Sequence, residues 1–110
     1  MSYEIIVTSS FKKHAKRIVK KYPSLKTDLE KLISSLKENP SQGNALGKDC
    51  YKVRMAITSK GQGKSGGSRV ITYVQILDQE AYLLTIYDKS VKKSISDKEL
   101  DELIKLAGIQ

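Results

Sequence analysis

The chain has a single cysteine, Cys50, and a single histidine, His14. A lone cysteine cannot close an internal disulfide, which points to a reducing compartment. No second cysteine or histidine and no spaced cluster of acids stand beside these two, so the sequence offers no metal-ligand pattern. One histidine inside a lysine-rich helix is also a poor basis for a Ser-His-Asp system, and His14 reads as a surface residue. Paired carboxylates are missing from the central strands, which weakens a glycosidase-like reading. No apolar run approaches membrane-spanning length, and the N-terminus lacks the apolar segment of a signal peptide. These absences together lead to the expectation of a cytoplasmic protein with no membrane partner, no metal and no cofactor.

Acidic residues are scarce where basic ones gather. Twenty Lys and Arg stand against twelve Asp and Glu, a formal charge of +8. Residues 11–22 carry six cations and no acid, and residues 48–69 carry six cations against Asp49 alone. From residue 96 onward four acids outnumber two lysines. A surplus confined to one helix and the middle of the chain suggests nucleic acid or an acidic protein as partner. At 110 residues the expected organisation is one domain over 1–110, large enough to bury a core.

Residues 3–7 form a short β-branched run, read as the first strand. Thr8, Ser9 and Ser10 offer N-caps to a helix whose apolar face is Phe11, Ala15, Ile18, Val19 and Tyr22, stopped by Pro23. A second helix with Leu25, Leu29, Leu32, Ile33 and Leu36 stops before Asn39-Pro40. Residues 40–48 read as a polar loop. Tyr51, Val53, Met55 and Ile57 alternate with Lys52, Arg54 and Ala56, so one face of this strand enters the core and the other carries cations. Residues 69–77 and 82–87 give two more strands. Ser96 and Glu99 make a capping box for a last helix, with Ile95 and Leu100 as a hydrophobic staple and Gly108 as its C-cap. The predicted order is β-α-α-β-β-β-α, an α+β fold of two layers with the helices on one face of an antiparallel sheet.

Four of the seven glycines fall at 61, 63, 66 and 67, among Lys60, Lys64 and Arg69. Glycines with cations can cradle an anion. Gly63-Lys64-Ser65 imitates the end of a P-loop, but Thr58 stands where that motif needs its first glycine, and a strand follows instead of a helix. A soluble hairpin loop is the plainer reading.

Cations and phenols near the strand ends suit one chemistry that needs neither metal nor histidine: RNA transesterification. The 2′-OH attacks the adjacent phosphorus, arginine binds the phosphoryl oxygens, and a lysine with a lowered pKa moves a proton. A solvated basic face is the competing reading of the same residues.

The chain resembles the RelE/ParE superfamily of bacterial type II toxins, and most of all its HigB-like RelE branch. The resemblance is carried by Tyr51-Lys-Val-Arg54, Gly63-Lys-Ser-Gly-Gly-Ser-Arg-Val-Ile71, Leu84-Thr-Ile-Tyr-Asp-Lys-Ser90 and Ser96-Asp-Lys-Glu-Leu100. It implies a twisted antiparallel sheet packed against an N-terminal helical hairpin. It also implies an endoribonuclease that cleaves mRNA on the ribosome and is neutralised by an antitoxin, expected to be of helix-turn-helix type. By resemblance Lys52 and Arg54 supply proton transfer or phosphate binding, and Arg69 binds the scissile phosphate. Tyr87 stacks on a base or orients the phosphate, and Lys89 falls near a general-acid position where a lysine replaces the usual arginine. Lys60 and Lys64 are the expected RNA contacts of the glycine-rich loop. Arg69, at a strand entrance, is expected to carry little of the core. A ParE-like inhibitor of DNA gyrase and a non-catalytic RNA-binding module remain as alternatives.

Overall fold

The computed structural model describes residues 2–109. Strand β1 (Glu4–Val7) leads into helix α1 (Ser9–Lys21), followed by α2 (Leu25–Glu38). Then come β2 (Asn44–Gly47), β3 (Cys50–Met55), a 3-10 turn over Thr58–Lys60, β4 (Ser68–Gln75), β5 (Glu80–Asp88) and α3 (Asp97–Leu106). The sheet order is β1-β5-β4-β3-β2. β1 runs parallel to β5, and the β2–β3, β3–β4 and β4–β5 pairs are antiparallel.

The Thr8 hydroxyl shows how the chain turns from β1 into α1. It accepts from the Phe11 N–H at 3.2 Å, capping the helix, and donates to the Leu83 carbonyl of β5 at 2.7 Å. Phe11, Ala15, Leu25, Leu32 and Leu36 then bury the helical hairpin against Val53, Met55, Val70, Leu83 and Ile86 of the sheet. The expected packing of hairpin on sheet is therefore found. At the other end of the chain, the capping box of Ser96 and Glu99 starts α3 as expected.

Three details differ from the sequence expectation. The 40–48 loop contains strand β2, joined to β3 by Lys48 and Asp49, with φ of 56° and 62°. Two positive φ values make this a hairpin turn of the primed kind, usually signalled by Asn-Gly or Asp-Gly. The order is thus β-α-α-β-β-β-β-α. The first strand pairs in parallel with β5, because the helical hairpin carries the chain across before the antiparallel meander begins. And α3 does not join the hairpin's layer. Leu100, with Leu103 and Ile104, packs on Cys50, Ile71, Leu84 and Tyr87, a second core made by the opposite pleat of the same strands.

Candidate active site

The strand register sets the geometry. Arg54 of β3 lies opposite Arg69 of β4, and Arg69 lies opposite Tyr87 of β5. Two pairs further along, Lys52 lies opposite Ile71. Alternation puts Lys52, Arg54, Arg69 and Tyr87 on the face that α3 half covers. Directly opposed residues hold their Cβ atoms about 5 Å apart, and like charges so placed are destabilising. Neither arginine has a salt-bridge partner among the described residues. Two uncompensated guanidinium groups side by side are a poor device for stability and a good one for gripping an anion.

Arg69 is not free in this structure. It is 3% exposed, and its guanidinium donates to the carbonyls of Lys64 at 2.9 Å, Ser68 at 3.0 Å and Ser65 at 3.4 Å. The expectation that it carries little of the core is corrected: it pins the glycine-rich loop to the sheet. Gly67 lets the end of the loop lie directly on the end of β3, since a Cβ there would meet the Met55 carbonyl oxygen at 2.3 Å. The Lys89 N–H donates to the Gly67 carbonyl at 3.1 Å, so Lys89 reaches the same corner from the end of β5, with its side chain half-buried. Lys64 lies exposed on the loop, and Arg54 is exposed on the sheet.

Lys60 goes elsewhere. Its ammonium bonds the Asp88 carboxylate at 2.9 Å, both side chains being 7% exposed, and also reaches the Ser90 hydroxyl at 3.1 Å. It lies 5.3 Å from the centre of the Tyr22 ring. The structure thus separates Lys60 from the other six candidates and gives it the part of a buried strut. Burial alone would raise the pKa of Asp88, but hydrogen bonds from Lys60 and Ser90 prevail and lower it. The loop has a second anchor. Asp28 of α2, itself buried, accepts from the Thr58 N–H at 2.9 Å and the Thr58 hydroxyl at 2.5 Å. The first half of the loop is therefore docked on the hairpin, unlike the simple solvated hairpin that composition suggests.

Tyr87 is 7% exposed, and its hydroxyl has no hydrogen-bond partner among the described residues. Burial pushes its phenol pKa up, against the opposing charge of Arg69. Cys50 is a core residue whose thiol burial raises to about 11, so it is inert at neutral pH. His14, given no role from sequence, holds the Thr85 hydroxyl through Nδ1 at 2.7 Å. Its pKa is lowered by burial and then by Arg17, Lys13 and Lys92. Neither Asp28, Asp88 nor His14 was legible as a site-supporting residue, because the partner that ties each to the loop or the sheet lies at least 28 residues away. No group of three or more His, Cys, Asp or Glu among the described residues is arranged to hold a metal ion. No helix among them is long and apolar enough to cross a membrane.

The sheet thus carries the helical hairpin on one face and, on the other, a basic surface that α3 half covers. The family model of the RelE toxin of the RelE/RelB toxin-antitoxin system matches residues 5–110, and the chain belongs to this family. Solved structures agree on the fold. A substituted E. coli toxin RelE in the free state superposes with a TM-score of 0.61 at 14% identity, over 98% of this chain and 96% of that one. The isolated E. coli RelE toxin gives 0.61 at 15%, over 96% and 99%. The intact E. coli RelBE toxin-antitoxin complex gives 0.60 at 16% identity, over 79% of this chain and 96% of that chain.

Proposed function

We propose that this RelE-family toxin is a ribosome-dependent, metal-independent mRNA endoribonuclease acting in the cytoplasm, neutralised by an antitoxin of helix-turn-helix type. The observation that carries the reading is the row of Arg54, Arg69 and Tyr87 across three strands, with Lys52 beside it on the same face. Arg54 and Arg69 bind the non-bridging oxygens of the scissile phosphate as charge builds there. Lys52 and Lys89 are the candidates for proton transfer. One of them takes the proton of the 2′-OH as that oxygen bonds to phosphorus, and the other protonates the 5′-oxygen as its bond to phosphorus breaks. The products are a 2′,3′-cyclic phosphate and a 5′-hydroxyl end. Tyr87 orients the phosphate through its hydroxyl, and Lys64 steers the strand from the loop. Lys60 is assigned no RNA contact, because its charge is already used by Asp88.

No strong base stands in this site, so orientation of the RNA has to supply much of the rate. The ribosome is the proposed source of that orientation. The test is inducible expression in bacteria with mapping of mRNA 5′ ends, joined to cleavage by purified protein with and without ribosomes and chelator. Cuts confined to translated transcripts, unaffected by chelator, are expected. Equal digestion of naked RNA overturns ribosome dependence. Inhibition of gyrase supercoiling without RNA cleavage overturns the nuclease reading in favour of the gyrase alternative, and the absence of both activities leaves a binding module.

A further inference from the structure

Three ion pairs link the described residues, and only one of them is buried. Lys48–Asp101 and Lys92–Glu99 lie on the surface, where such pairs contribute little. Lys60 and Asp88 are both withdrawn from water, a place where two apolar side chains often serve stability as well as two charges do. The charges therefore call for another reason.

Asp88 ends β5 and builds the turn that follows. Its Oδ1 accepts from the Ser90 N–H at 3.0 Å and from the Ser90 hydroxyl at 2.7 Å. Its carbonyl accepts from the N–H groups of Val91 at 3.0 Å and Lys92 at 2.9 Å. Aspartate suits this turn because its side chain reaches the backbone two residues on, which no apolar residue does. Lys89 lies inside the turn, with its own N–H tied to the Gly67 carbonyl at 3.1 Å. The same carboxylate is a liability. Asp88 pairs across the sheet with Ser68, next to the Arg69–Tyr87 pair, so a negative charge stands among the residues assigned to phosphate. Left unpaired, it would draw the nearest cation to itself, and Lys89 is its neighbour in the chain. Lys60 removes that demand. It reaches Oδ1 at 2.9 Å from the 3-10 turn at the far side of the loop, its ammonium 5.3 Å from the centre of the Tyr22 ring.

We infer that the Lys60–Asp88 pair is a positioning device for proton transfer: Asp88 shapes the turn that presents Lys89, and Lys60 satisfies the carboxylate that would otherwise claim the Lys89 ammonium. The inference rests on the nuclease reading above and adds to it two residues that touch no RNA.

The test is single-turnover cleavage of ribosome-bound mRNA by the full-length protein, well below the melting temperature of every variant. At about pH 8 a stranded Asp88, still held by two bonds from Ser90, is ionised. Lys60→Met removes charge and donor together and can fail to fold. Lys60→Gln keeps an amide that can donate to Asp88 and is the variant that decides. Its cleavage rate at saturating toxin is expected to fall roughly tenfold, the size of one unit charge acting across about 10 Å at an effective dielectric of about 20. The toxin concentration giving half the maximal rate is expected to change much less. Adding Asp88→Asn to Lys60→Gln is expected to restore most of the rate. In a Lys89→Ala background the loss from Lys60→Gln is expected to vanish. A folded Lys60→Gln protein that cleaves like the parent overturns the inference. So does a loss that persists in full when Lys89 is alanine, or a Lys60→Gln/Asp88→Asn protein no faster than Lys60→Gln; either result leaves the pair a structural strut. If Lys89→Ala itself cleaves at the parental rate, the inference falls with the role of Lys89, while a nuclease built on Lys52, Arg54 and Arg69 stands. If the parent leaves ribosome-bound mRNA uncut, the nuclease reading falls as well.

Discussion

Replacing Arg69 by alanine is expected to damage the fold and the chemistry separately, and the two effects can be measured apart. The side chain is 3% exposed and makes two well-placed hydrogen bonds to carbonyls, at 2.9 and 3.0 Å, and a longer one at 3.4 Å. Hydrogen bonds from a charged donor contribute about 1.5–3 kcal/mol each, and the stranded carbonyls add to the loss. Relief of the repulsion from Arg54 returns up to about 1 kcal/mol. A net loss of about 3 kcal/mol follows. With roughly 2.1 cal/mol/K of unfolding entropy per residue over 110 residues, that lowers the melting temperature by about 13 °C. Arg69→Lys keeps the charge without the fork and should lose about half as much. Cleavage is then assayed well below both melting points, where the missing phosphate contact should still cost roughly a hundredfold in rate. Circular-dichroism melts and urea titrations give the first number, ribosome-programmed cleavage the second. An Arg69→Ala protein that melts within about 2 °C of the parent refutes the loop-pinning role. One that is folded and fully active refutes the phosphate role.

Lys60→Ala strands the Asp88 carboxylate in a site where both side chains are 7% exposed, and should cost about 3–5 kcal/mol. Because the folded pKa of Asp88 lies below its ordinary value, the parent's pair contributes stability above about pH 4 that is lost as pH falls through that lowered value; denaturant melts across pH should show this acid-limb loss in the parent and not in Asp88→Asn. Gly67→Ala drives a Cβ to 2.3 Å from the Met55 carbonyl at the end of a sheet strand and should cost about 1–3 kcal/mol. Gly66→Ala meets Gln62, its Oε1 at 2.5 Å and its Cβ at 2.7 Å, so that only the exposed loop has to shift, and should cost less. Thermal melts of the two alanine variants compared directly will show whether that order holds.

Much of this fold was legible because periodicity reports local structure faithfully. The stripe of Phe11, Ala15 and Ile18 and the alternation of Val53 and Met55 each name a buried face, and both faces are buried here. The same alternation brought Lys52, Arg54 and Arg69 to one side. Strand β2 escaped because its turn, Lys48-Asp49, lacks the glycine that usually announces two positive φ values. The parallel pairing of β1 and the separate seat of α3 escaped because both are decided by contacts across the whole chain. Lys60 reads as a loop cation in sequence, and nothing local reveals that Asp88 waits 28 positions later. Arg69 misled for a related reason. An arginine after two glycines suggests exposure, yet the loop, laid on the end of β3 where Gly67 has no Cβ, turns the Lys64 and Ser65 carbonyls onto its guanidinium.

The burial of Arg69 bears on how a nuclease of this kind would be kept quiet. Under the proposed function its guanidinium must exchange carbonyl partners on the loop for phosphoryl oxygens. Bonds to an anionic acceptor are roughly twice as strong as those to a neutral one, so the exchange favours RNA only once a phosphate is held beside the sheet. Free RNA must also meet the entropic cost of finding that pose, whereas, under the same proposal, an mRNA strand held by the ribosome arrives with that cost already met. The loop divides to match. Its first half is fixed by Asp28 on Thr58 and by Lys60 on Asp88. Its second half holds Gly63, Gly66 and the two carbonyls that Arg69 must release. Releasing those carbonyls disturbs neither anchor, so Arg69 can change partners without breaking the buried pair that secures the rest of the loop.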